Sequence, residues 1–424
     1  MSLQKIAALL LAVCAFSGCT ASPAGVDTLL RAPRVMGEQS GVHKALTAYL
    51  GESPQLKYPM ISLQGEAVSP FVLEDFDGNG TQDAAAFYVS AAKGQNVHLA
   101  ILEQGGDDQW TVTQEKEGLA ASVESISTAQ LQAEGGNQLL VGYVAGSGEK
   151  YLAVYAYRES TLEEVLTIPY SQYQLHPLAS EAASDLMIIG PEQTSPLQLQ
   201  LLTAENGQFT LAQQLDLNER FLDCDGLYPS VGEDGNRYLV LDGHTATGLA
   251  SSILHYDSRL QRLENYVPVT EDNFFDTTQR FSSLLRSRDI NGDDRVEIPC
   301  QVDAGEVGAL TVNRLSLISW MDFTSEYEQE VSFGVADLEY GYYVPLPSEL
   351  KGSVMITGGE EPESWQMRSL DGEELYLTVK IVTPNVRSAG YFRMGNIGAK
   401  KVLARVSSQI GMTASELADG FTVL

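Results

Sequence analysis

The sequence predicts an all-β fold: a β-propeller of about five or more four-stranded blades, with an N-terminal helix and a small C-terminal α+β module. Three observations carry that expectation. From Tyr58 onward, short apolar runs are broken by Gly, Asn, Asp and Pro, the pattern of strands and turns. One order of features (polar loop, apolar strand, gap, amphipathic strand, turn) recurs roughly every 47–59 residues, the length of a blade. No long helical pattern interrupts the series, and a sandwich would turn more often and without repeat.

The units follow in order. Ser69–Leu73 leads into the polar loop Asp75–Asp83, then Ala84–Val89, Val97–Leu102, a turn at Gly105–Asp108, and Trp110–Thr113. The second unit has the loop Gln130–Gln138 with Leu139–Tyr143 and Tyr151–Tyr157. The third centres on Ser184–Gly190 and Leu197–Leu202, and the fourth on the turn Gly232–Asn236 with Tyr238–Leu241 and Ser252–Tyr256. The fifth is the loop Asp289–Glu297 with Leu315–Trp320 behind it. Before the series, Gly37–Gly51 reads as a helix with Val42, Leu46, Tyr49 and Leu50 on one face and Gly51 as its cap. This gives a region 35–345 of helix plus propeller. Residues 346–424 hold strands at Ser353–Thr357, Glu374–Val382 and Lys401–Val406. A short helix follows, with Thr413 and Glu416 as a capping box. Lys400, Lys401 and Arg405 make this stretch more basic. It is either a separate module packed on the propeller or a closing blade.

The loops carry the metal chemistry. Calcium takes roughly six to eight oxygen ligands, and a short loop supplies them by turning alternate side chains inward. Asp75, Asp77, Asn79 and Asp83 have that alternation, with the Thr81 carbonyl at position 7 and Gly80 at the sharp turn. The second set is Asp289, Asn291, Asp293 and Glu297, with the Arg295 carbonyl; Asp294 takes the place of the glycine. Read without metal, such segments are tight turns. Neither loop is an EF-hand, because Ala86 and Cys300 stand where a bidentate Glu would be and a β-like run follows. In the Gln130–Gln138 loop, Gln replaces the acids at positions 1, 3 and 9, so it reads as a metal loop that no longer binds.

An acid-rich loop entering a strand resembles the calcium loops of FG-GAP or VCBS-type β-propeller repeats, although the FG-GAP dipeptides themselves are absent. That resemblance implies a calcium-stiffened adhesion or recognition scaffold. The N-terminus resembles a bacterial lipoprotein signal. Lys5 precedes the apolar stretch Ile6–Phe16, too short to span a bilayer, which runs into Phe16-Ser17-Gly18-Cys19. The resemblance implies cleavage after residue 18, a lipid on Cys19, a tether over residues 20–34 and an extracytoplasmic protein anchored to the bacterial cell membrane. Export would permit a disulfide between Cys224 and Cys300; two buried thiols fit equally.

A net charge of −30 repels phosphate backbones, which argues against nucleic-acid partners. No catalytic motif is present. His43, His98, His176, His244 and His255 have no ligand partner at close spacing, and Gly146-Ser147-Gly148 lacks the frame of a nucleophile elbow. Tyr340-Gly341-Tyr342-Tyr343 could offer flat rings to a sugar or peptide, or fill the β core. Two functions stand: a non-catalytic calcium-binding scaffold for a protein or polysaccharide, or an extracytoplasmic carbohydrate-active enzyme with its site in the propeller channel.

Overall fold

Strands whose consecutive residues are all apolar need cover on both faces, and stacking sheets in series supplies it. The structure, a computed structural model, describes residues 38–61, 68–106, 109–132, 135–178, 182–191, 196–205, 208–233, 235–268, 273–302, 308–325, 327–386 and 388–424. The expected signal peptide, Cys19 and the tether lie outside the described residues, as do Asp107, Asp108 and Asp234 of two expected turns.

The described strands form six sheets, almost entirely antiparallel. The first holds Gln55–Leu56, Phe71–Glu74, Asp83–Val89, His98–Gln104 and Trp110–Glu117. Three four-stranded meanders follow. They are Ser122–Ala129 to Thr161–Pro169, Gln172–His176 to Gln208–Asp216, and Asp223–Val231 to Arg262–Tyr266. The fifth comprises Ile298–Gln301, Leu315–Asp322, Gln329–Asp337 and Tyr342–Leu346, joined at its edge by Thr422–Val423. The sixth comprises Val354–Gly358, Ser364–Ser369, Leu375–Val382, Lys400–Val406 and Phe392–Ile397. Gly308–Leu310 joins it in parallel beside Val354–Ile356, reaching over from within the fifth unit.

Each sheet shares a core with the next in sequence order. Leu139 and Val141 of the second sheet pack toward Ala85 and Phe87 of the first. Leu140, between them on the strand, packs with Leu186 and Ile188 of the third. Met187 and Ile189 then meet Leu239 and Leu241 of the fourth. Val240 and Ile253 meet Ile298 of the fifth, and Val335 and Phe333 meet Ile356 and Met367 of the sixth. Alternate side chains of one central strand thus serve two neighbouring sheets. The fifth and sixth sheets share one core across position 345/346, with Val344 and Leu346 beside Val354. The short helix α3, Ala414–Asp419, carries the expected capping box and buries Leu417 in that core.

The free face of the first sheet is covered by helix α1, Glu38–Leu50. Val42 and Leu46 are fully buried against Phe71, Ala84, Ala86 and Tyr88. Gly51 ends the helix at φ 72° and donates its amide to Thr47 O at 3.0 Å, as a left-handed cap does. Tyr49 departs from the expected apolar face. It is exposed, and its hydroxyl donates to Glu115 at 3.0 Å, because the polar edge of the last strand lies within reach. Among the described residues, no shared core joins the first and sixth sheets.

Cys224 and Cys300 form no disulfide with each other. Cys224 belongs to the core between the third and fourth sheets and Cys300 to the core between the fourth and fifth, so a sheet separates them. Truncating Leu46 to Ala should uncover the first sheet and cost about 2–5 kcal/mol in a urea unfolding experiment. A loss below about 1 kcal/mol would show that α1 is not part of the core.

Candidate metal centre

One hydrogen bond recurs in four loops. The ninth side chain accepts the amide of the second residue: Asp83 from Phe76 at 3.1 Å, Gln138 from Leu131 at 2.8 Å, Asp185 from Leu178 at 2.9 Å and Glu297 from Ile290 at 2.9 Å. In the first three, that side chain stands on the first residue of a buried strand. The strand therefore sets where the carboxylate or amide points, and the loop wraps over it.

In the first loop the Asp75 carboxylate accepts amides from Gly78 at 2.7 Å, Asn79 at 3.2 Å and Gly80 at 2.8 Å. Gly78 and Gly80 sit at φ 77° and 81°, the left-handed geometry that this winding requires. The winding gathers oxygen atoms of Asp75, Asp77 and Asp83 within 4.8 Å of one another. Asn79 lies beside them, hydrogen-bonded to Asp77 at 2.9 Å. Three carboxylates this close repel unless a cation or protons intervene. Burial pushes the Asp83 carboxyl up to about 6, the Phe76 amide opposes this, and the charges of Asp77, Glu103 and Asp75 add to the rise. Such a donor set fits a hard cation of the calcium type, which Asp75, Asp77, Asn79 and Asp83 would hold with the Thr81 carbonyl.

The Asp289–Glu297 loop is wound the same way. Asp289 accepts amides from Gly292 at 2.6 Å, Asp293 at 3.1 Å and Asp294 at 2.9 Å, and Asp294 adopts φ 65° where the first loop has glycine. Part of its charge is met within the protein. The Arg295 guanidinium pairs with Asp293 at 2.9 Å and reaches Asp322 at 3.4 Å and Ser325 at 3.2 Å. The sequence assigned only the carbonyl of Arg295 to the loop; its side chain adds a positive charge beside Asp293. Among the described residues, Asp289, Asp293 and Glu297 do not form a compact triad. Burial pushes Glu297 up to about 7, against the Ile290 amide and with help from Asp293, Asp289 and Asp322, and its Oε1 has no hydrogen-bond partner.

Neighbouring loops hold one another. Asn137 donates its amide to Asp75 O at 3.0 Å and Ser184 to Gln130 O at 2.7 Å, the same positions one unit further on. Arg237 donates to Leu178 O at 2.9 Å, and Val296 donates to the Ser230 hydroxyl at 3.0 Å. A Cβ on Gly136 would stand 2.4 Å from Phe76 O, so this contact requires glycine. In the Gln130–Gln138 loop, Gln130 donates to Gln132 O at 2.8 Å and Gly135 O at 3.1 Å, so amide bonds stand where the first loop has carboxylates.

A second constellation escaped the sequence. Asp223 and His244 face each other across paired strands, with His244 Nδ1 2.5 Å from the carboxylate. Nε2 lies 3.9 Å from Asp225, which takes a two-pronged bond from Arg286 at 2.6 and 3.1 Å. His244 and Asp223 are partly exposed at the end of the fourth sheet opposite its loop. The signal was the alternate acids 223 and 225, but strand register alone brings His244 to them. The tyrosine cluster is core, not platform. Tyr342 and Tyr343 are fully buried, and Tyr340 lies under Arg314 and Lys400.

No family model matches this chain, and no curated protein matches it. It is similar to the crystal structure of a Bacteroides uniformis protein assigned as a 6-phosphogluconolactonase. The identity is 10%, covering 70% of this chain and 77% of that one, with a TM-score of 0.29. That likeness is too slight to argue from.

Glu297 binds its proton more tightly folded than unfolded, so the metal-free protein loses stability as pH rises from about 4 through about 7. Glu297→Gln keeps the amide acceptor, as Gln138 does, and removes the charge. In chelator, thermal melts should decline less from about pH 5 to about pH 8 in Glu297→Gln than in the parent protein. Parallel declines would disprove the buried, proton-binding carboxyl.

Proposed function

We propose that this chain is an extracytoplasmic lipoprotein, anchored through Cys19, in which calcium braces a propeller-like series of sheets. The braced series acts as a non-catalytic scaffold for a protein or polysaccharide partner. The observation that carries the reading is the gathering of Asp75, Asp77 and Asp83 within 4.8 Å in a loop wound around its own first carboxylate. Left alone, that gathering is a concentrated repulsion; with a divalent cation it becomes a clamp. The clamp would act on more than its own loop, because the Asp75 carbonyl is the acceptor for the next unit at Asn137. The serial sharing of cores between units supports the propeller-like part of the reading. The apolar N-terminal stretch ending at Cys19 supports the anchor.

Calcium that binds only the folded protein at about 100 times its Kd adds roughly 2.7 kcal/mol per site. The purified protein should therefore melt at a higher temperature with calcium than with chelator, and Asp75→Ala should abolish the difference. Equal melting temperatures in the parent protein would remove calcium from this reading.

A carbohydrate-active enzyme is the second reading, and the His244, Asp223 and Asp225 group favours it, since a histidine held by one carboxylate beside another suits proton transfer. Reducing-end release from soluble polysaccharides, lost in His244→Ala, would establish it. No release from the parent protein leaves the scaffold.

A further inference from the structure

The fourth sheet opens where its last strand ends. Tyr266 pairs with Ile253, and beyond that point the edge is met by segment 278–280 instead of a strand: Ser251 donates its amide to Thr278 Oγ1 at 3.0 Å, and Leu249 and Arg280 exchange backbone hydrogen bonds at 2.8 Å. The short helix α2, Phe274–Thr277, closes over part of the gap. Its two phenylalanines diverge: Phe274 enters the core between the fourth and fifth sheets, and Phe275 packs on the core between the third and fourth. A solvent-open cleft of about 320 Å³ remains between them and the end of the third sheet.

The polar groups lining this cleft are largely unspent. Asn265 and Ser252 make no side-chain hydrogen bond among the described residues. Asn218 accepts the Arg220 amide at 3.0 Å through Oδ1, which leaves its amide hydrogens unused. Among the described residues no lysine or arginine lines the cleft, and the one carboxylate there, Asp216, accepts from Gln198 at 3.0 Å. In a chain of net charge −30, such a site repels anions. The Tyr266 ring supplies flat apolar surface beside the amides, whereas the Phe275 ring lies under the Arg220 guanidinium at 4.3 Å. Free carboxamides and a hydroxyl, which both donate and accept, set next to a ring face match a molecule with apolar faces and a rim of hydroxyls.

We infer that this cleft binds a neutral saccharide, with room for roughly one or two sugar rings. Asn218, Asn265 and Ser252 bond its hydroxyls, and Tyr266 takes its apolar face. The inference rests on the scaffold reading for its setting and names the ligand of that scaffold. It is independent of the calcium loops, which lie elsewhere on the units.

The test is calorimetric titration of the full protein with cellotetraose, maltotetraose and chitotetraose, in calcium and in chelator. Saturable binding of at least one, with a Kd of about 10 µM to 1 mM, is expected. Asn265→Ala and Asn218→Ala should each weaken it about tenfold without lowering the melting temperature. Chelator should leave it unchanged in a protein that stays folded. Absence of saturation with all three sugars up to about 10 mM overturns the inference. So does binding that neither substitution weakens, or tighter binding of an oligogalacturonate than of any neutral sugar. Sugar binding without a calcium shift would remove only the brace, and a calcium shift without sugar binding would remove only this site.

Discussion

The amide of the second loop residue, caught by the side chain of the ninth, is the contact on which the rest depends. It appears at Phe76 and Asp83, Leu131 and Gln138, Leu178 and Asp185, and Ile290 and Glu297. The acceptor is buried at the foot of the strand that feeds two cores, so an unmet acceptor or amide there would be costly. Meeting that demand fixes the loop's winding. The winding in turn exposes the first carbonyl, which the next loop takes up at Asn137 and Ser184. Sheet follows sheet at a set spacing because loop grips loop.

The same frame carries its charge in three ways. The second loop replaces its acids by amides, with Gln138 donating to Gly136 O at 2.8 Å as well as accepting. The fifth-unit loop keeps acids and brings Arg295 to Asp293. The first loop keeps three carboxylates within 4.8 Å and has no arginine among the partners of its acids. There the chemistry leaves a cation-sized demand unmet. Charge elsewhere is resolved inside the fold, as in the fully buried Arg280 and Asp242 pair at 2.7 Å. Ser251 and Ser287 donate their hydroxyls to Asp242 Oδ1, and the Ser287 amide donates to Oδ2. Losing either partner of such a pair leaves a buried charge uncompensated, so it ties segment 278–287 firmly to the fourth sheet.

The sequence by itself determined the all-β class, the most apolar strands of each unit and both acid loops; it did not show strands such as Ser122–Ala129, Thr161–Pro169, Asp223–Val231 and Gln329–Asp337. Period-two and continuous apolar runs are local signals, as are Gly80 and the acids spaced around it. Helix α1 and its Gly51 cap were legible for the same reason. Tertiary structure alone decided which faces those elements shared. It buried Tyr342 and Tyr343, turned Tyr49 outward, put Cys224 and Cys300 in separate cores, and sent Gly308–Leu310 across to the sixth sheet. It also brought His244 to Asp223 and the Arg295 side chain to Asp293. Hydrophobic patterning states that a residue is buried without saying against what, and a charge in the sequence does not show where its long side chain ends. Those partners follow from register and stacking, which arise only once distant segments meet.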